Sequence, residues 1–232
     1  SDFVDQMVVG YNKRYNWKTA FASPENVPTF LHAHKLMRKT WEGMPSKEDI
    51  GGEKWNKTAD HCNANYFHID MERYSLEAVL KKGAELVKRK GIKCLVIDPF
   101  NKVRDINAAS DDVNRYTMDY LMKIEIFAKK YDVLVFVVAH PTKMYKNQKT
   151  GEIDEPTMYS IKGGGEWYDA SYHGLLVHRD YEANTVKVKV LKCKFQNLGV
   201  NGAETHFTWE KNSGCYIPLN KPDEAPMPWE NG

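Results

Sequence analysis

The chain predicts an α/β protein: a mainly parallel central sheet covered by helices, followed by a β-rich C-terminal extension. Three observations predict it. Strand and helix patterns alternate through the first 140 residues. The run DVLVFVVAH (132–140) is apolar almost without a break, as suits a strand covered on both faces. Beyond residue 170 the helical patterns give way to strand patterns, in HGLLVHR, TVKVKVLKCK, THFTW and CYIP.

Each element follows from local pattern. Phe3, Met7 and Tyr11, with Val4 and Val8 beside them, recur at helical spacing. After Asn16 comes the strand WKTAFA, stopped by Ser23-Pro24-Glu25-Asn26. A second helical stretch runs from about Val27 to Glu42. Residues 43–65 are polar and contain Gly51-Gly52, which reads as a loop with some helix. YFHID (66–70) is a short strand. Ser75 caps a helix carrying Leu76, Val79, Leu80, Leu86 and Val87, which ends at Gly91. KCLVIDPF (93–100) is a strand that stops on Asp98. A polar loop closed by Ser110, an N-cap, leads into a helix carrying Val113, Tyr116, Tyr120, Leu121, Ile124, Phe127 and Ala128. Pattern then vanishes over 141–160, a length that usually signals function or disorder. Gly163-Gly164-Gly165 turns into a short helix, and Asn212-Ser213-Gly214 is a turn between the last two strands. No internal repeat is present.

Composition excludes more than it assigns. Of 232 residues, 42% are apolar and 28% charged, ordinary for a globular chain. No run approaches the ~18–20 apolar residues of a membrane span, and the first residues lack the basic and apolar regions of a signal peptide. Cys62, Cys94, Cys193 and Cys215 form no CxxC pair, which argues against a zinc site and points to a reducing, cytoplasmic home. With a net charge of +2, any nucleic-acid surface has to be a local patch.

In open α/β sheets, ligands collect at the carboxyl ends of the strands. Glu25, Asp98, His140 and the Lys192–Lys194 region fall at four such ends. The set suits phosphoryl transfer: one carboxylate to hold Mg²⁺ through its water shell, another to orient or deprotonate an attacking water, and a neutral donor for the γ-phosphate. Each residue also has a plainer role. Asp98 would serve as a turn cap, Glu25 as a solvated loop residue, His140 as a satisfied core histidine. The expected phosphate loop, G-x-x-x-x-G-K-[ST], occurs nowhere in the chain. Ser1 stands directly before an amphipathic helix with no strand feeding it, as expected of a sequence cut between the lysine and the serine of such a loop. Ser1 would then be the hydroxyl on Mg²⁺.

These segments, in order, resemble the motor domain of hexameric replicative helicases of the DnaB superfamily, in its phage primase-helicase and Twinkle-like branch. SDFVDQMVVGYNKRYNWKTAFASPEN resembles the helix after the phosphate loop and the strand whose final glutamate is the family's catalytic base, which implies that role for Glu25. LVIDPF resembles the Mg²⁺-binding strand, implying Asp98. VFVVAHPTK resembles the strand of the γ-phosphate sensor and the DNA-binding loop after it, implying His140 and the loop at 141–160. YSIKGGGEWYDASYHGLLVHR and FTWEKNSG resemble the family's GSG-type turn region and final hairpin. VKVLKCKF resembles the strand whose lysine and arginine finger reach a neighbouring subunit's nucleotide, implying Lys192 and Lys194. The resemblance implies a RecA-like fold over residues 1–218, lacking its N-terminal phosphate loop, with 219–232 a flexible tail. It implies ATP or another NTP with Mg²⁺ as cofactors, single-stranded DNA as partner, self-association as a hexameric ring, and a polymerase or primase as candidate partners.

The sequence departs from that pattern at three places. Its phosphate loop and lysine are absent, so the isolated chain is expected to be inactive. Lys194 replaces the arginine finger, keeping the charge but losing the planar fork. Tyr168 sits where relatives can carry a basic residue near the base, and Trp209 falls at an aromatic position of the same pocket. Together these rings would sandwich the base, unless they are core aromatics. On the final lysine-bearing strand, Val186, Val188 and Val190 alternate with Lys187 and Lys189, yet Lys192 and Lys194 fall on the valine phase. Either a bulge intervenes near Leu191 or the strand has left the core, towards a subunit boundary or solvent. Lys143, Lys146 and Lys149 in the patternless loop would track a phosphate backbone or simply be solvated.

The expected function is therefore a fragment of a ring-shaped replicative helicase, coupling NTP hydrolysis to translocation on single-stranded DNA. The alternatives are a RecA-like ATPase without unwinding activity, and a non-catalytic DNA-binding or assembly module. In the tail, Trp229 beside acidic residues is either a docking anchor or part of a disordered terminus.

Overall fold

The computed structural model describes residues 2–41, 43, 45–104, 113–142, 154–195 and 197–219. Ser1, the Ser110 cap, Lys143, Lys146, Lys149 and Trp229 lie outside the described residues. The chain divides into two compact units, one of Ser1–His140 with Lys211–Cys215 and one of Pro141–Glu210 with Tyr216–Gly232.

The first unit contains α1 (Asp2–Tyr15), β1 (Lys18–Ala22), α2 (Thr29–Trp41), α3 (Glu53–Asn65), β2 (Tyr66–His68), α4 (Leu76–Lys90), β3 (Ile92–Ile97), α5 (Val113–Tyr131) and β4 (Leu134–Val137). Its four strands are parallel, in the order β2-β1-β3-β4. The register aligns His68, Phe21, Val96 and Phe136 in one row across the sheet. Phe21, Val96 and Phe136 pack with Val8 and Val9 of α1, Leu36 and Met37 of α2, and Cys62 of α3. The next row, Ala20, Leu95 and Val135, faces oppositely because side chains alternate along a strand. There Gly83 of α4 lets the helix approach α5 and β3 closely: a Cβ at this glycine would lie 3.0 Å from Phe127 and 3.4 Å from Leu95. Both faces of β3 are thus covered, which is why CLVI is apolar throughout. Each fully buried side chain of this size contributes about 1.5–3 kcal/mol.

The ends of α4 behave as the sequence dictates. Ser75 Oγ accepts a hydrogen bond from the Ala78 amide at 3.1 Å, and Gly91, at φ 68°, closes the helix with its N–H on Val87 O. Two elements differ from expectation. The polar 43–65 stretch contains a full helix, α3, which faces the core through Trp55, Ala59 and Cys62 at four- and three-residue steps. The strand expected over 132–140 is only four residues long and half-buried along its whole length, because β4 lies at the end of this sheet.

The second unit contains α6 (Gly164–Ala170), β5 (His173–Asp180), β6 (Thr185–Cys193), β7 (Glu204–Trp209) and β8 (Tyr216–Pro218). The strands form an antiparallel sheet in sequence order. Gly163, at φ 94°, turns the chain into α6. Val186 and Val188 are buried while Lys187 and Lys189 reach Glu155 on the other face. Leu175 pairs with Val190 but Gly174 pairs with Lys192, so Leu191 is an extra residue on β6. That is the bulge the lysine phase called for.

Candidate functional site

Parallel strands end on one edge, and the residues just past β1, β3 and β4 converge there. Ala22 pairs with Ile97, and the Asp98 amide donates to Ala22 O at 3.0 Å, so the ladder carries Ser23 and Asp98 side by side beyond the strand ends. Asp98 is only 2% exposed and Ser23 7%. The Asp98 Oδ1 and Ser23 Oγ atoms are buried without a hydrogen-bond partner. Leaving such an atom unsatisfied costs about 1–3 kcal/mol, and in native proteins it usually marks an ion, a water or a catalytic role.

Glu25 follows in a turn closed by the Asn26 amide on Ser23 O at 3.0 Å. Its side chain is 40% exposed, and Oε1 lies 3.2 Å from Lys102 Nζ, in the short helix Phe100–Lys102 after β3. An ion pair this open contributes about 0–1 kcal/mol, so it orients the carboxylate more than it stabilises the fold. His140 is exposed, three residues past β4, so the core-histidine alternative does not hold. Three neighbouring strands therefore deliver a buried carboxylate, an open carboxylate and an accessible imidazole to one edge.

The residues fit Mg²⁺. A carboxylate and a hydroxyl are hard oxygen donors, and Mg²⁺ typically keeps several waters while taking one or two carboxylates and substrate phosphates. Among the described residues no group of three or more His, Cys, Asp or Glu is placed to hold a metal ion. Asp98 would hold the ion, which would supply charge stabilisation at phosphate oxygens.

In the second unit, Lys192 Nζ donates to the carbonyls of Tyr168, and of Asp169 at 3.3 Å, in the last turn of α6. A cation is favoured at those unpaired carbonyls. Lys192 also lies 4.7 Å from the Tyr168 ring centroid. Lys194 is exposed, with Nζ 3.9 Å from the Tyr172 ring centroid. Tyr168 stacks on Tyr159 at 5.4 Å, and Trp209 carries the Arg179 guanidinium at 4.4 Å.

The aromatic sandwich is not formed within the chain. Tyr168 is tied to Lys192 at one end of β6, whereas Trp209 follows Thr208, which pairs with Thr185 at the other end. At about 3.4 Å per residue the two are roughly 20 Å apart along the strand.

Sequence reasoning missed Ser23, whose importance appears only once register sets it beside Asp98. It also missed a buried chain linking α1, α2 and β2. His32 Nε2 lies 3.0 Å from Asp5 Oδ1, and His32 Nδ1 lies 2.8 Å from His68 Nε2. Burial alone would raise the Asp5 carboxyl, but the hydrogen bond and charge of His32, with Lys35, hold it below its ordinary 3.8. Nothing in the spacing of residues 5, 32 and 68 announces this contact.

No protein-family model matches the chain. It is 27% identical over 237 aligned residues to the "Twinkle homolog protein, chloroplastic/mitochondrial" of Arabidopsis thaliana, an alignment covering 93% of this chain and 32% of that protein. The chain thus spans about a third of that relative's length. Two solved structures share the fold, each at 14% identity and a TM-score of 0.72. One is described as an "ATPase Domain", with 94% of this chain and 80% of that one covered. The other is a "DnaB-Like Replicative Helicase" described with its "Interactions With Primase", with 95% and 54% covered. The chain thus has the fold of RecA-like ATPase domains and is similar in sequence, over nearly all its length, to the Twinkle homolog.

Proposed function

We propose that this chain is the nucleotide-driven core of a ring-forming replicative DNA helicase, moving on single-stranded DNA. The observation that carries the reading is the buried Asp98 carboxylate, its Oδ1 without a partner, beside the Glu25 turn, in a chain similar over nearly all its length to the Twinkle homolog.

In this reading Glu25 takes a proton from, or orients, the attacking water. Asp98 and Ser1 hold Mg²⁺, and His140 donates to the γ-phosphate. Lys192 and Lys194 act on the nucleotide of a neighbouring copy in a hexameric ring, Tyr168 and Trp209 are the candidate contacts of the nucleotide base, and Lys143, Lys146 and Lys149 follow the DNA backbone. ATP or another NTP is the fuel, and a primase or polymerase is the expected partner. Cys62, Cys94, Cys193 and Cys215 are all free thiols, which fits a reducing compartment, the cytoplasm included.

The 232 residues contain no G-x-x-x-x-G-K-[ST], so the chain by itself is expected to hydrolyse no NTP. The second reading is a binding or assembly module. The two separate in a protein that supplies the phosphate loop. There Glu25→Gln should lower DNA-stimulated hydrolysis by about 10²-fold or more while nucleotide still binds. Unchanged hydrolysis would remove Glu25 from the mechanism, and single-stranded DNA binding without any nucleotide turnover would favour the module.

A further inference from the structure

We propose that the Ser23 hydroxyl works together with the Asp98 carboxylate in holding a hydrated Mg²⁺ at the ends of β1 and β3. The inference rests on the nucleotide-site reading above. It comes from the register: Ala22 pairs with Ile97, so Ser23 and Asp98 are the next residues on neighbouring strands, and the Asp98 amide continues the ladder onto Ala22 O. Both residues are more than nine-tenths buried, and each carries an oxygen with no partner.

Two buried oxygens without partners, on residues that follow a paired position of neighbouring strands, are each costly, and one ligand can satisfy both. A water-clad divalent cation is such an explanation. A carboxylate accepts from its waters or contacts the metal directly, and a hydroxyl both accepts and donates, so it can turn a coordinated water towards a second acceptor. Glu25, two residues further on in the turn, is the nearest carboxylate in sequence and is exposed. Ser23 is thus a positioning residue, acting on the ion's water shell.

The test uses the chain as it stands and Mn²⁺ as the probe. Sub-stoichiometric Mn²⁺ added to ¹⁵N-labelled chain should broaden the amides of Ala22, Ser23, Glu25, Ile97 and Asp98, reversed by excess Mg²⁺. Ser23→Ala should weaken the apparent Mn²⁺ affinity about fivefold, the effect of one hydrogen bond. Ser23→Thr, which keeps the hydroxyl, should retain it, and Asp98→Asn should abolish it. Broadening that is lost in Asp98→Asn but identical in Ser23→Ala and wild type overturns the role of Ser23 and leaves the metal site standing. Broadening that survives Asp98→Asn, or is absent from these amides in the wild type, overturns both.

Discussion

Protonation of His68 should cost the folded chain stability in mildly acid solution. Burial, and then the neighbouring His32 charge, push this imidazole down from 6.5 to about 4, against the opposing pull of Asp5 and Asp70. The causes are visible in the structure. His68 Nε2 is held 2.8 Å from His32 Nδ1, and Phe21 stacks on the ring at 5.6 Å. The folded value lies below the unfolded one, so as pH falls through 6.5 the unfolded chain takes up the proton first. The contribution is therefore complete above pH 6.5 and shrinks steadily towards pH 4. At 1.36 kcal/mol per unit the ceiling is about 3.4 kcal/mol. Because the ring is only half-buried, solvent screening reduces that to about 1–2 kcal/mol. Asp5 does not confound the window, since its depressed carboxyl loses its own contribution only below its ordinary 3.8. Urea unfolding at pH 7, 6, 5 and 4.5 should show a steeper acid loss in wild type than in His68→Gln, and the His68 ring proton should titrate near 4 by NMR. A ring titrating near 6.5, or identical slopes in the two proteins, refutes the reasoning.

Three stability predictions follow from single contacts and are checked by urea midpoints. Asp5→Ala takes the buried carboxylate away from His32 and Lys35 and should cost about 3–5 kcal/mol. Ser75→Ala removes the acceptor for the Ala78 amide and should cost about 1 kcal/mol, with Ser75→Asp retaining most of it. Gly174→Ala would drive its Cβ into Met158 Sδ, costing about 1–3 kcal/mol. Pairing it with Met158→Ala should recover part of that loss, and strict additivity would rule out the clash.

Local rules made most elements of the fold legible. The Ser75 cap, the Gly91 stop and the buried stripe Tyr116, Tyr120, Leu121, Ile124 and Phe127 of α5 depend on neighbours within a turn or two, and they stand where pattern puts them. Helix α3 was obscured because its core contacts are a tryptophan, an alanine and a cysteine among polar residues, too thin a stripe to outweigh composition. β4 looked long because its apolar run continues past Val137, though regular pairing with β3 ends there. The Asp5–His32–His68 chain joins residues separated by 27 and 36 positions on three elements, and no periodicity encodes such a meeting.

At the candidate site, legibility divides by whether a residue's role depends on its own strand or on another's. Glu25, Asp98 and His140 each close a strand pattern, so their convergence follows once the strands are parallel. Ser23 has the same position but no distinctive chemistry, and it gains meaning only from the register that sets it beside Asp98. Tyr168 and Trp209 fail in the opposite way: their chemistry suggested a common pocket, and the antiparallel register puts them at opposite ends of β6. The lysines show how one strand can carry both kinds of information. Their phase demanded an interruption near Leu191, and the pairing supplies it there. What phase could not say is that the two amines part company, Lys192 folding back onto the α6 carbonyls and Lys194 remaining exposed beside Tyr172. Within the proposed ring, Lys194 is therefore the amine already free to meet a neighbour's phosphate. Lys192 has to give up its carbonyl partners first, a cost that only a charged ligand can offset.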